Sequence, residues 1–157
     1  MPIDRNDEKL WTNLCTAENA FYEARMALLR SAQELKSVIG AALDTPSQRG
    51  TALRLLQILP EEMIRPHFSR LVDLASVGHS DIELCRAVLL KIDRNWLVQN
   101  IEYQVTQILR PGGEEEFRRV AELYKLLNSD LLGLHLERCA RHADEEVKKI
   151  ASDFAKD

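Results

Sequence analysis

Apolar side chains recur every seven residues near the start of the chain, at Leu14, Phe21, Leu28, Leu35 and Ala42, with Leu10, Ala17, Ala24, Ser31 and Val38 at the complementary positions. The pattern predicts a helix with a heptad seam. No Pro or Gly falls between Asp7 and Ile39, so one long amphipathic helix is predicted over residues 7–43. Ala and Ser weaken the seam, and Trp11, Tyr22, Met26 and Leu29 lie off it. A broad apolar face packed on the rest of the domain is therefore the first expectation. A homodimer joined through Leu14, Phe21, Leu28 and Leu35 is the alternative. Gly40 and Asp44-Thr45-Pro46-Ser47 mark the helix end and a turn.

Beyond that turn the pattern repeats. Ala52, Ala87, Ala121 and Ala151 each sit in an amphipathic segment and stand 35, 34 and 30 residues apart. Second helices are predicted to start near Pro60, Asp93 and Asn128, where Pro or cap-type residues precede an apolar stripe. The stripes are Ile64, Phe68, Leu71, Val72 and Ala75; then Leu97, Ile101, Val105 and Ile108; then Leu132, Leu136, Cys139 and Ala140. Gly78-His79-Ser80, Arg110-Pro111-Gly112-Gly113 and Ala143-Asp144 separate the resulting helical hairpins, and the last unit is a half-repeat.

Asp144, Val147, Lys148 and Ala151 place an acidic residue, an apolar one, a basic one and a small alanine in the order used by HEAT repeats, which residues 45–157 resemble. Glu114, Phe117, Arg118 and Ala121 follow with conservative changes. Thr45, Arg49 and Ala52 follow with Gln48 at the apolar place. The unit ending at Ala87 departs most, having Glu83 and Leu84 at the apolar and basic places. The resemblance implies an all-α fold, a short right-handed α-solenoid of about three and a half helical hairpins within a single domain, and an association with scaffold or adaptor work.

Composition narrows the function classes. Twenty-one Lys and Arg against twenty-five Asp and Glu give a net charge of −4, so no global field favours nucleic acid or an anionic membrane. Cys15, Cys85 and Cys139 have neither disulfide-framework nor zinc spacing and read as buried small residues. The polar start Met1 to Asp7 lacks a signal-peptide core, and no segment approaches the ~20 apolar residues of a membrane span, which together predict a cytoplasmic protein.

The bases with a suitable pKa are His67, His79, His135 and His142, and none lies in a nucleophile motif. His135, Cys139 and His142 share a helix, but a structural zinc wants four ligands, so no metal and no cofactor are expected. The carboxylates Glu61-Glu62 and Glu114-Glu115-Glu116 read as helix-start charges rather than acid–base pairs. Trp96 reads as core, and Trp11 as an exposed anchor.

The expectation is accordingly not an enzyme but a protein-protein interaction module that binds a protein or peptide along its second-helix face. Offsets of 33 and 35 residues align Arg70, Tyr103 and Arg138 as one ladder and His67, Asn100 and His135 as another. A nucleic-acid-binding HEAT-like module using Arg65, Arg70, Arg138 and Arg141 is the alternative, weakened by Asp73, Glu102 and Glu137.

Overall fold

The structure of the protein, a computed structural model, describes residues 4–155, and every regular element among them is helical. Met1 to Ile3, part of the start read above as lacking a leader, lie outside the described residues, as do 156 and 157. The chain divides into two compact units, Met1–Ile39 and Gly40–Asp157.

In the first unit, α1 spans Arg5–Ser31. The Asp4 carboxylate accepts the Asn6 N–H at 2.6 Å, Asp7 and Glu8 occupy the first turn and Arg30 the last, each matching the helix dipole. None of its residues is buried.

The single helix expected over 7–43 is broken. Ala32 turns extended at the end of α1 and the chain restarts as α2 (Leu35–Asp44), in which Gly40 is an ordinary helical residue. Local propensity favours helix through the break, but propensity is worth only tenths of a kcal/mol per residue. Seating the second half of α2 outweighs it: Leu43 is fully buried, its carbonyl accepts the Arg49 Nε–H at 2.9 Å, and Asp44 pairs with Arg70 at 2.6 Å. Leu35 is thereby separated from the seam helix.

The second unit continues with α3 (Pro46–Ile58), α4 (Glu61–Ile64), a 3-10 turn (Arg65–His67), α5 (Phe68–Ala75), α6 (Ile82–Leu89), α7 (Arg94–Leu109), α8 (Glu114–Leu127), α9 (Ser129–Ala140) and α10 (Glu145–Phe154). The α4–α5 interruption falls at Pro66, which has no N–H to donate and whose ring crowds the carbonyl four residues back. Expected starts at Asp93, Asn128 and Asp144 are present. Their side chains accept the N–H groups of Trp96 at 2.9 Å, of Asp130 and Leu131 at 2.9 and 3.0 Å, and of Glu146 at 2.9 Å. Gly112 turns α7 into α8 where a Cβ would lie 2.9 Å from the Ile108 carbonyl, and Glu116 reaches back to the Gly113 N–H at 2.8 Å.

Burial resets the register of the repeats. Two buried neighbours, a gap and two more recur as Ala52-Leu53 with Leu55-Leu56, Cys85-Arg86 with Val88-Leu89, and Val120-Ala121 with Leu123-Tyr124. The spacing is 33 and then 35 residues, so Cys85, and not the exposed Ala87, takes the place of Ala52. In α9 the buried stripe is Leu131, His135 and Cys139; Leu132 and Leu136 are half-covered and Ala140 is exposed. Of the helices of like position, α3 packs on α6, α5 on α7, and α8 on α10, while α6 and α8 are linked through the Arg86 side chain and α7 and α9 through Glu102 and Arg138.

Basic side chains seal helix ends across this unit. Lys91 donates to the carbonyls of Leu56, Gln57 and Leu59 at the end of α3, and Arg94 donates to that of Leu127 at the end of α8. Arg86, only 5% exposed, bonds Glu122 at 2.8 Å, Glu83 at 3.1 Å and the carbonyl of Arg119 at 3.3 Å. Burial acts to raise the Glu122 pKa, but the hydrogen bonds from Arg86 and Arg119 prevail and hold it below the ordinary carboxylate value. Replacing Arg86 by Ala removes one of the two guanidinium groups that hold Glu122, which keeps Arg119 and some water, so the expected cost is about 1–2 kcal/mol in urea unfolding. A loss within measurement error would show that the buried guanidinium does not hold α6 to α8.

Candidate functional site

Helix α7 has two contrasting faces. Leu97, Ile101, Val105 and Leu109, four residues apart, are buried on one, while Asn95, Gln99, Asn100 and Tyr103 are exposed on the other. Tyr103 is 76% exposed. The charges of α7 are Arg94, at its start, and Glu102, and both are turned to structural work. In a chain with 29% charged residues, this leaves an outward patch of neutral amides around a tyrosine.

Glu102 joins three helices. The Tyr124 hydroxyl of α8 donates to one carboxylate oxygen at 2.6 Å, and the Arg138 guanidinium of α9 pairs with the other. Burial, reinforced by this bond to a carboxylate, pushes the Tyr124 pKa far up. Arg138 also approaches His135 Nδ1 at 3.4 Å, while His135 Nε2 lies 2.8 Å from the Phe117 carbonyl. A carbonyl can only accept, so Nε2 carries the proton and Nδ1 faces the guanidinium with its lone pair. Desolvation, with the Arg138 charge, lowers the His135 pKa.

The two expected ladders come apart. His67 and His135 are buried, so neither offers a surface group. The α9 register is set by Leu131, His135 and Cys139, which brings Glu137 rather than Arg138 to the level of Tyr103. Arg70 is tied to Asp44, Arg138 to Glu102, and Asn100 donates to the Trp96 carbonyl at 2.7 Å while remaining exposed. Of the six named residues, Tyr103 and Asn100 alone stay on one open face. Arg65 pairs with Glu61 at 2.5 Å and Arg141 reaches Glu137 at 4.0 Å, so all four arginines of the nucleic-acid reading sit beside carboxylates. Trp96 packs edge-on against Phe68, with ring centroids 5.0 Å apart, and lies under Arg65.

The Glu102 hub was missed because its partners lie 22 and 36 residues away. The available signal was one carboxylate in the middle of a helix whose other charge, Arg94, stands at its first residue.

Two open clefts flank these elements. One of about 310 Å³ is lined by Thr106, Leu109, Arg110, Phe117, Arg138 and His142, and one of about 420 Å³ by Asp44, Pro66, Ser69, Arg70, Asp73 and Leu74. Neither lining joins a Ser or Cys nucleophile to a histidine. Among the described residues no cluster of three His, Cys, Asp or Glu could hold a metal. Burial pushes the Cys139 thiol up to about 11 and the Cys85 thiol up to about 12, and Cys85 Sγ donates to the Leu71 carbonyl at 3.2 Å. No family model, curated protein or solved structure matches the chain.

Folded protein treated with a thiol alkylator should be modified at half-buried Cys15 and spared at Cys85 and Cys139 until denaturant is added, as read by peptide mass spectrometry. Rapid modification of either buried thiol would contradict this packing. Because His135 binds a proton less readily folded than unfolded, stability from its neutral form is complete above the ordinary imidazole pKa. It drains away as pH falls through the lowered folded value. The melting temperature should therefore drop between about pH 7 and pH 5, and His135→Gln should flatten that slope. Equal slopes in the two proteins would remove His135 as the cause.

Proposed function

We propose that residues 40–157 form a short right-handed HEAT-like solenoid acting as a non-catalytic scaffold or adaptor, which binds a protein partner on the outward face of α7. Supporting the architecture are the packing of like on like helices and the recurring burial pattern. The observation that carries the function is the charge-free patch of Gln99, Asn100 and Tyr103 on an otherwise heavily charged chain. Interface centres are depleted of charge and enriched in aromatic residues, because a tyrosine buries large area at low entropy cost while charges resist desolvation. Tyr103 is the anchor, with Gln99 and Asn100 supplying hydrogen bonds. Arg70 and Arg138 instead hold helices together, which fits long side chains used as packing.

A photocrosslinking residue in place of Tyr103, compared with one in place of exposed Glu83 on α6, should yield a specific adduct in the source cells. The purified partner should then bind Tyr103→Ala about tenfold or more weakly in calorimetry, with unchanged melting temperature. Adducts no stronger at 103 than at 83, or equal affinity for the variant, would rule out this face.

A further inference from the structure

From Leu14 to Ser31, α1 carries an exposed apolar seam in which large and small residues alternate. Leu14, Phe21 and Leu28 are exposed, with Phe21 at 50%, and between and after them come Ala17, Ala24 and Ser31. A helix with no fully buried residue gains little from packing, so this face is where α1 gains from a partner surface.

We propose that the occupant is a second copy of this chain, with the two α1 helices pairing antiparallel about a two-fold axis between Tyr22 and Glu23. In that register Leu14 meets Ser31 of the second copy, Ala17 meets Leu28, and Phe21 meets Ala24, each repeated by symmetry. Every large side chain enters a space left by a small one, over a seam about 27 Å long. A parallel pair would instead set Phe21 on Phe21 and Ala24 on Ala24, overfilling some layers and leaving voids in others.

Charge selects the same arrangement. Glu18 and Arg25 flank the seam on one edge, a heptad apart, and among the described residues neither is in an ion pair. Antiparallel pairing in this register brings Glu18 beside Arg25 of the second copy twice over. Parallel pairing places them beside Asn13 and Ala20, where charge has no partner. Arg25 already lies over the Phe21 ring at 5.4 Å, at the edge of the seam it would close. The opposite edge presents Ala20 and Ala27, which let the two backbones approach.

Light scattering of the full chain at low salt, over a hundredfold concentration range, tests this. The wild type should be a dimer, and Phe21→Glu a monomer. Glu18→Arg alone and Arg25→Glu alone should each weaken dimerisation about tenfold, because each turns two attractions into two repulsions. An equimolar mixture of those two variants, and the double variant E18R/R25E, should recover the wild-type constant. A monomeric wild type at high micromolar concentration would overturn the proposal. So would a dimer indifferent to the charge reversals, or single variants that mixing fails to rescue. None of these outcomes bears on the α7 face, whose binding is read with a separate partner.

Discussion

Arg86 is a guanidinium taken out of water in the middle of a helical unit, and the arrangement of α5, α6 and α8 answers to it. Leaving a buried charge unpaired costs several kcal/mol, so its surroundings must supply acceptors from more than one direction. They come from Glu83 on its own helix, Glu122 on α8 and the Arg119 carbonyl, the last two within reach only because the long Arg86 side chain spans from α6 to α8. The place it fills is held by Leu53 in one neighbouring helix and Ala121 in the other. An apolar residue there would bury comfortably in many geometries, whereas the fork of an arginine accepts few.

The same economy governs the other long cations of the second unit. Lys91 and Arg94 stand at the end of one helical segment and the start of the next, and each closes the carbonyl end of a helix about one repeat away in sequence. Gly78 donates its N–H to Glu115 at 3.0 Å, and Arg118 pairs with Asp153 at 3.0 Å. Charged side chains that a sequence reading counts as solvated are here connectors between hairpins, which is why Arg70 and Arg138 make poor candidates for partner recognition. What is left over on the surface then becomes informative. A neutral face around Tyr103 and an apolar seam on α1 are two regions that this internal pairing does not use.

The polar interior also bears on chemistry. His135 and Cys139 are the sort of residues from which an active site is assembled, but one hydrogen-bonds a backbone carbonyl in the core and the other is a thiol raised by burial. Their environment holds both neutral. The HEAT-like adaptor reading draws its support from this pattern of packing and from the uncharged α7 surface, and its partner is to be sought through Tyr103.

Much of the helical order was legible in the chain. The caps at Asp93, Asn128 and Asp144, the turns at Gly78 and Pro111-Gly112-Gly113, and the apolar stripe of α7 follow from local rules, because a cap or a turn is decided by a handful of adjacent atoms. So was the α1 seam from Leu14 to Leu28. The break at Ala32 was not, nor was the shift that buries His135 and exposes Ala140, nor the pairing of Arg138 with Glu102. Each turns on which side chain another helix can cover or neutralise, and partners dozens of residues away leave no periodic trace in the sequence. Local chemistry determined the capped helix starts, the glycine turns and the apolar stripe of α7; tertiary packing decided where α1 stops, which face of α9 is buried, which polar groups were spent inside and which remained for a partner.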